Sequence, residues 1–66
     1  MIRFIPPKGS NPFNPVKGPN GGWMDQFNNE WVKGPTHHFP GDPFEWDVQL
    51  PDGGHVNVSM RGVIAR

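Results

Sequence analysis

The chain has 66 residues, no cysteine, nine glycines, nine prolines and a formal charge of zero from six basic and six acidic side chains. That length allows one small domain with a marginal core and excludes a large substrate cavity, a disulfide framework and a thiolate zinc centre. No apolar run reaches the length of a membrane span or of a signal-peptide core, and the neutral balance lacks the basic excess usual in nucleic-acid binders.

Hydrophobic content of 33% with so much Pro and Gly lies near the disordered boundary. Three tryptophans and five phenylalanines argue the other way, because a large aromatic buries roughly 150–250 Å². The composition therefore predicts a folded domain with a loose front end. A start that is at once Pro/Gly-rich suits a module cut from the end of a longer protein. Charge is unevenly placed: residues 1–34 hold four basic and two acidic groups, and residues 35–66 hold two basic and four acidic.

Residues 1–22 carry Pro6, Pro7, Pro12, Pro15 and Pro19, which interrupt any helix and favour extended or polyproline-like backbone. They are expected to form a lead segment, with residues 23–66 as the compact domain. In the next stretch Trp23, Phe27 and Trp31 recur every four residues and would share one helical face. Gly34-Pro35 then follows in the order expected of a helix C-terminus. The spacing predicts a short helix whose aromatic stripe faces the core.

Thr36-His37-His38-Phe39-Pro40-Gly41-Asp42-Pro43 leads into residues 44–50, where Phe44, Trp46, Val48 and Leu50 alternate with Glu45, Asp47 and Gln49 as in a half-buried strand. Pro51-Asp52-Gly53 fits a three-residue hairpin loop with Gly53 at positive φ, and residues 55–61 form the returning strand. That loop length sets Gln49 opposite His55, Asp47 opposite Asn57 and Glu45 opposite Ser59, so the polar faces coincide. A two-residue loop would mix polar and apolar faces, which a half-buried sheet tolerates poorly.

The polar face then reads Glu45, Asp47, Gln49, His55, Asn57, Ser59 and Arg61. Cleavage of RNA without a metal needs a base for the 2′-hydroxyl proton, an acid for the leaving oxygen and a cation for the phosphorane charge. Glu45, Asp47, His55 and Arg61 supply those types from one face, and a plain solvated sheet surface would look the same. His37 and His38 are open to three readings: exposed or structural, catalytic, or metal-ligating with Asp42 as the nearby carboxylate. Pro40, Gly41 and Pro43 either stiffen the approach so that His38 or Asp42 sits at a fixed distance from Glu45, or merely connect.

The run from Lys33-Gly34-Pro35-Thr36-His37-His38-Phe39-Pro40-Gly41-Asp42-Pro43-Phe44-Glu45-Trp46-Asp47, with Gly54-His55-Val56-Asn57-Val58 after it, resembles the type 17 toxin domain at the C-terminal ends of bacterial polymorphic toxins. The resemblance covers roughly the last two-thirds of the chain. Phe44-Glu45-Trp46-Asp47-Val48-Gln49 is also similar to the strand opening of the ribonuclease domain of ribosome-cleaving colicins. There a histidine follows the Gln where Leu50 stands here, and those domains are strongly basic. The resemblance implies an RNase toxin carried by a large secreted protein, acting in the cytoplasm of a competitor and held in check by a cognate immunity protein.

Residues and resemblance together lead to a small α+β fold: a mainly antiparallel twisted β-sheet, one short N-terminal helix over residues 23–33 and an extended Pro/Gly-rich lead segment. The expected function is a monomeric, metal-independent endoribonuclease that needs no cofactor and no membrane. Asp47 or Glu45 would act as base or orient His55, His55 would be acid or base, Arg61 would stabilise the phosphorane, and His37 or His38 would compete for the acid role. The alternatives are a metal-dependent nuclease using His37, His38, Asp42 and Asp47, and a non-enzymatic interaction module.

Overall fold

A computed structural model describes residues 2–65; Met1 and Arg66, the outer ends of the expected lead segment and compact domain, lie outside the described residues. Four antiparallel strands form one sheet in chain order: β1 (Trp23–Met24), β2 (Glu30–Gly34), β3 (Glu45–Gln49) and β4 (His55–Val58). No described residue is helical, so the fold is a small all-β sheet and not the α+β arrangement expected from the sequence.

The segment read as a helix is instead the β1–β2 hairpin. Trp23 pairs directly with Trp31 across it, and Phe27, midway between them, stands 60% exposed at the turn. Three aromatics spaced by four thus fit a hairpin centred on Phe27 as well as a helical stripe. The deciding chemistry is Asp25-Gln26-Phe27-Asn28-Asn29. Asn28 takes φ 65°, a left-handed conformation that Asn tolerates and a helix interior does not.

The Asp25 carboxylate holds this turn. Oδ1 accepts from the amides of Phe27 and Asn29, each at 2.9 Å. Oδ2 accepts from Asn29 Nδ2 and from the indole Nε1 of Trp31, each at 3.0 Å. A single buried side chain therefore closes the loop and fixes the rotamer of the largest core residue.

The β3–β4 hairpin has the register its loop chemistry requires. Gln49 faces His55 and Asp47 faces Asn57; Leu50 N donates to Gly54 O at 2.8 Å, and Gly53 has φ 95°. β4 ends at Val58, earlier than the expected residue 61. Ser59 Oγ accepts from the amides of Arg61 (3.2 Å) and Val63 (3.0 Å), and that turn carries the chain off the sheet.

Directly paired residues share a face. Trp23, Trp31, Trp46, Val48, Val56 and Val58 lie on one face, and Glu30, Val32, Glu45, Asp47, Gln49, His55 and Asn57 on the other. Among the described residues the buried apolar core is Trp31, Val48 and Val58, flanked by partly buried Ile2, Trp46, Leu50, Val56 and Ile64. Each fully buried side chain of this kind is worth roughly 1.5–3 kcal/mol, a thin reserve against chain entropy.

The Pro/Gly-rich residues add to that reserve by lying on the sheet. Met24 N donates to Val16 O, Gln26 N to Ile5 O and Ile2 N to Gly62 O, all at 2.9 Å. Lys17 bridges to Trp23 beyond the β1 edge, and Phe4 meets Trp31 edge to face at a centroid distance of 5.8 Å. Backbone covering of an edge strand in this way removes an open template for aggregation.

Because one carboxylate serves the turn and the Trp31 indole together, Asp25→Ala should destabilise the domain by about 2–3 kcal/mol, the range for hydrogen bonds to a charged group whose buried partners are left unpaired. Denaturant unfolding monitored by tryptophan fluorescence measures it. A loss under about 0.5 kcal/mol, the scale of a plain surface substitution, would show that the turn does not depend on this carboxylate.

Candidate active site

β2 ends at Gly34, and Pro35 cannot continue the ladder. The connection to β3 then turns back, with Asp42 N donating to Phe39 O at 3.1 Å. The turn aims the amides of the His pair at Glu45, the first residue of β3.

Glu45 is 2% exposed. Its Oε1 accepts from His37 N at 2.6 Å and His38 N at 2.9 Å. Thr36 Oγ1 lies 3.3 Å from the same oxygen and 3.2 Å from Phe39 O. Its Oε2 lies 2.8 Å from His38 Nδ1. The His37 amide above all, then the His38 amide and ring, outweigh the opposing effect of burial and hold the Glu45 carboxyl well below the usual range, at about 2.

An ionised carboxylate that only accepts fixes the state of its partner. His38 donates from Nδ1, and in the neutral ring Nε2 then carries the lone pair. The His38 side chain is 47% exposed while that of Glu45 is 3% exposed. A buried anion thus orients a half-exposed imidazole through one of its two ring nitrogens. A carboxylate–imidazole contact of this kind also orients the histidine in hydrolase triads.

The sequence-derived residues separate into groups. Glu45, His38 and the His37 backbone come together, and the His37 side chain is exposed. Asp47 lies two residues along the same face and accepts from Gln49 Nε2 at 2.8 Å. His55 is exposed opposite Gln49, four residues along β3 from Glu45 and so about 13 Å away at ~3.3 Å per residue. Arg61 sits in the turn after β4 and lines a cavity with Trp31 and Trp46, on the other face. Glu45 is therefore not part of an open polar surface, and Arg61 does not stand beside Asp47 and His55. Among the described residues no three His, Asp or Glu side chains gather as metal ligands, so His37, His38, Asp42 and Asp47 are not assembled as a ligand set.

Alternation along residues 44–50 placed Glu45 on the solvent side because it counts only the sheet's own two faces. It does not see a loop folding over the polar one. The available signal was Pro35, Pro40, Gly41 and Pro43, which force residues 35–44 into a tight return and bring His38 within reach of Glu45.

Comparison with family models gives a match to Novel toxin 17 over residues 1–63, almost the whole described chain. The chain belongs to the Novel toxin 17 family. It is accordingly a toxin domain, as the resemblance in residues 33–58 implied. No curated protein and no solved structure gives a significant match. The Novel toxin 17 match includes the Pro/Gly-rich stretch as well as the sheet. Among the described residues no helix is long and apolar enough to cross a membrane.

The buried carboxylates of this toxin domain predict acid sensitivity. Desolvation opposes ionisation of Asp25 and Glu30, yet hydrogen bonds to Trp31, Asn29 and Phe27, and to Gly22 and Asn20, win and lower both. With Glu45 lowered from 4.5 to about 2, the unfolded chain binds more protons than the folded one in that window, so stability falls as pH falls. The thermal midpoint should be steady near neutral pH and drop between about 4.5 and about 2. Glu45→Gln should flatten that drop. A wild-type midpoint unchanged across the window would contradict the ionised network.

Proposed function

We propose that this toxin domain is a metal-independent endoribonuclease in which His38, oriented by Glu45, is the general base. The observation that carries the reading is the 2.8 Å contact from His38 Nδ1 to the buried Glu45 carboxylate. His38 Nε2 takes the proton of a ribose 2′-hydroxyl, and the 2′-oxygen attacks the adjacent phosphorus. The bond to the 5′-oxygen breaks, and that oxygen takes a proton from a protonated imidazole. The products are a 2′,3′-cyclic phosphate and a 5′-hydroxyl.

His37 is the proposed acid, since it is exposed and next in chain to the base, whereas His55 stands a strand's length away. Asp47 and His55 continue along the same sheet face and serve in this reading to line the path of the RNA. The domain would be delivered as the end of a larger secreted effector and act in the target-cell cytoplasm. In the producing cell a cognate immunity protein would cover the His37–His38 loop and the polar face, with basic or aromatic groups suited to an acidic surface.

The test is cleavage of total RNA by the purified domain, with and without chelator, followed by mapping of fragment ends. Cyclic phosphate and 5′-hydroxyl ends, unaffected by chelator, are expected. His38→Ala should lower the rate about 10²–10⁴-fold, the usual worth of a general base, with an unchanged circular dichroism spectrum, and His55→Ala should lose far less. Full activity in His38→Ala would refute the assignment. Loss of activity in chelator would move the chemistry to the metal-dependent alternative, and a folded domain that neither cleaves RNA nor harms a bacterial cytoplasm would be an interaction module.

A further inference from the structure

The sheet face opposite Glu45 carries a cavity of about 310 Å³, at the small end of the range for ligand pockets. It is lined by Phe4, Trp23, Trp31 and Trp46, with Arg3 and Arg61 also in the lining and no carboxylate among them. All three tryptophans of the chain meet in this one place. Trp31 and Trp46 stand edge to face at 5.9 Å, and Phe4 remains 36% exposed. A third cation, Lys17 Nζ, lies 3.4 Å from the Trp23 ring centroid.

A chain of zero net charge has thus placed three of its cations around its aromatic cluster. An occupant must offer a flat apolar part to the rings and an anion to the guanidinium groups, and a nucleotide has that chemistry. Aromatic faces accept any base by stacking, and Arg holds phosphate through a two-pronged contact that Lys cannot reproduce. We propose that this cavity seats one nucleotide of single-stranded RNA, its base against the aromatic wall and its phosphate held by Arg3 and Arg61.

The choice of RNA rests on the ribonuclease reading. The cavity adds what that reading lacks, a means of holding the strand. Glu45 and Trp46 are consecutive and point to opposite faces of β3, so the base and the seat lie back to back at one end of the strand. RNA engaging both would bend around that end of the sheet, past Phe44, whose ring meets Trp46 at 5.5 Å. Arg61 thereby has a role in gripping substrate, not in stabilising the phosphorane beside Asp47.

Binding is measured in the His38→Ala protein, so that cleavage does not intervene, with an unstructured oligoribonucleotide of about ten residues, within the span covered by small single-strand binders. Since all three tryptophans line the cavity, quenching of intrinsic fluorescence and shifts of the three indole N–H resonances both report its occupation. Arg3→Ala and Arg61→Ala, added singly, should each weaken binding about tenfold, and together they should reduce the slope of log K against log salt by about 0.7, the value for one phosphate contact on a single strand. Phe4→Ala should weaken binding with the slope unchanged, as loss of stacking does. Lys8→Ala, which removes the same charge away from the cavity, should bind as before.

Absence of quenching and of indole shifts, or an equal loss in Lys8→Ala, would overturn the proposal. Undiminished RNA cleavage by Arg3→Ala and Arg61→Ala in the otherwise wild-type protein would overturn the cavity's role and leave the ribonuclease reading standing. RNA seated in the cavity of a protein that never cleaves it would do the reverse.

Discussion

Three buried carboxylates, Asp25, Glu30 and Glu45, each draw a loop onto the sheet, and the architecture depends on them. The apolar core of Trp31, Val48 and Val58 is too small to fix the long connections of so Pro- and Gly-rich a chain. Asp25 closes the β1–β2 turn. Glu30 binds the Asn20 amide, the Asn20 side chain and the Gly22 amide at 2.8–2.9 Å. Glu45 gathers Thr36, His37 and His38. An isolated buried anion is costly, but one that accepts several N–H bonds has its charge dispersed over donors that would otherwise be unpaired. Gly18 and Gly22 show how close the approach is: a Cβ at Gly18 would overlap the Glu30 side chain, and one at Gly22 would overlap the Trp31 carbonyl and press on Glu30.

The same device that organises a loop also gives the His38 imidazole a fixed orientation. Glu45 needs donors to be buried, and His38 supplies both its amide and its ring. Loop closure and imidazole orientation share one carboxylate, so removing Glu45 would disturb both, whereas His38→Ala keeps the two backbone amides on Glu45 and removes only the ring. Conservative exchanges that keep the shape, such as Glu45→Gln, separate the two: the amide can still accept from backbone N–H groups but no longer presents an anion to the His38 ring.

Legibility from the sequence followed how local the determining physics was. The β3–β4 register was readable because Pro51-Asp52-Gly53 and the alternation on both sides independently demand it. Trp23, Phe27 and Trp31 were ambiguous because a repeat of four serves either a helix or a hairpin with its turn at the middle residue. Asn28-Asn29, poor in a helix and good at positive φ, was the discriminating local signal. Arg61 was misplaced for a different reason: β4 ends at Val58, Arg61 lies inside the turn that the Gly62 amide closes on the Ser59 carbonyl, and Gly62, with φ 90°, receives the Ile2 amide on its own carbonyl. That contact joins the two ends of the described chain and has no short-range signature. The pairing of His38 with Glu45, seven residues apart, was accessible only through the turn-forming prolines and Gly41.

Net charge is a weak guide to the partners of so small a sheet, because its ionisable groups are unevenly placed, even with Asp25 bonded to the Trp31 indole. Glu30, Glu45, Asp47 and His55 lie on one face, and Arg3 and Arg61 surround the tryptophans of the other. A strongly basic domain binds RNA through its whole field, with long reach and little discrimination between strands. A neutral one must concentrate attraction at a few contacts, which suits stacking plus a phosphate grip. Productive RNA would then be the flexible single strand able to bend around the first residues of β3, and stiff duplex would be rejected by geometry before any base is read.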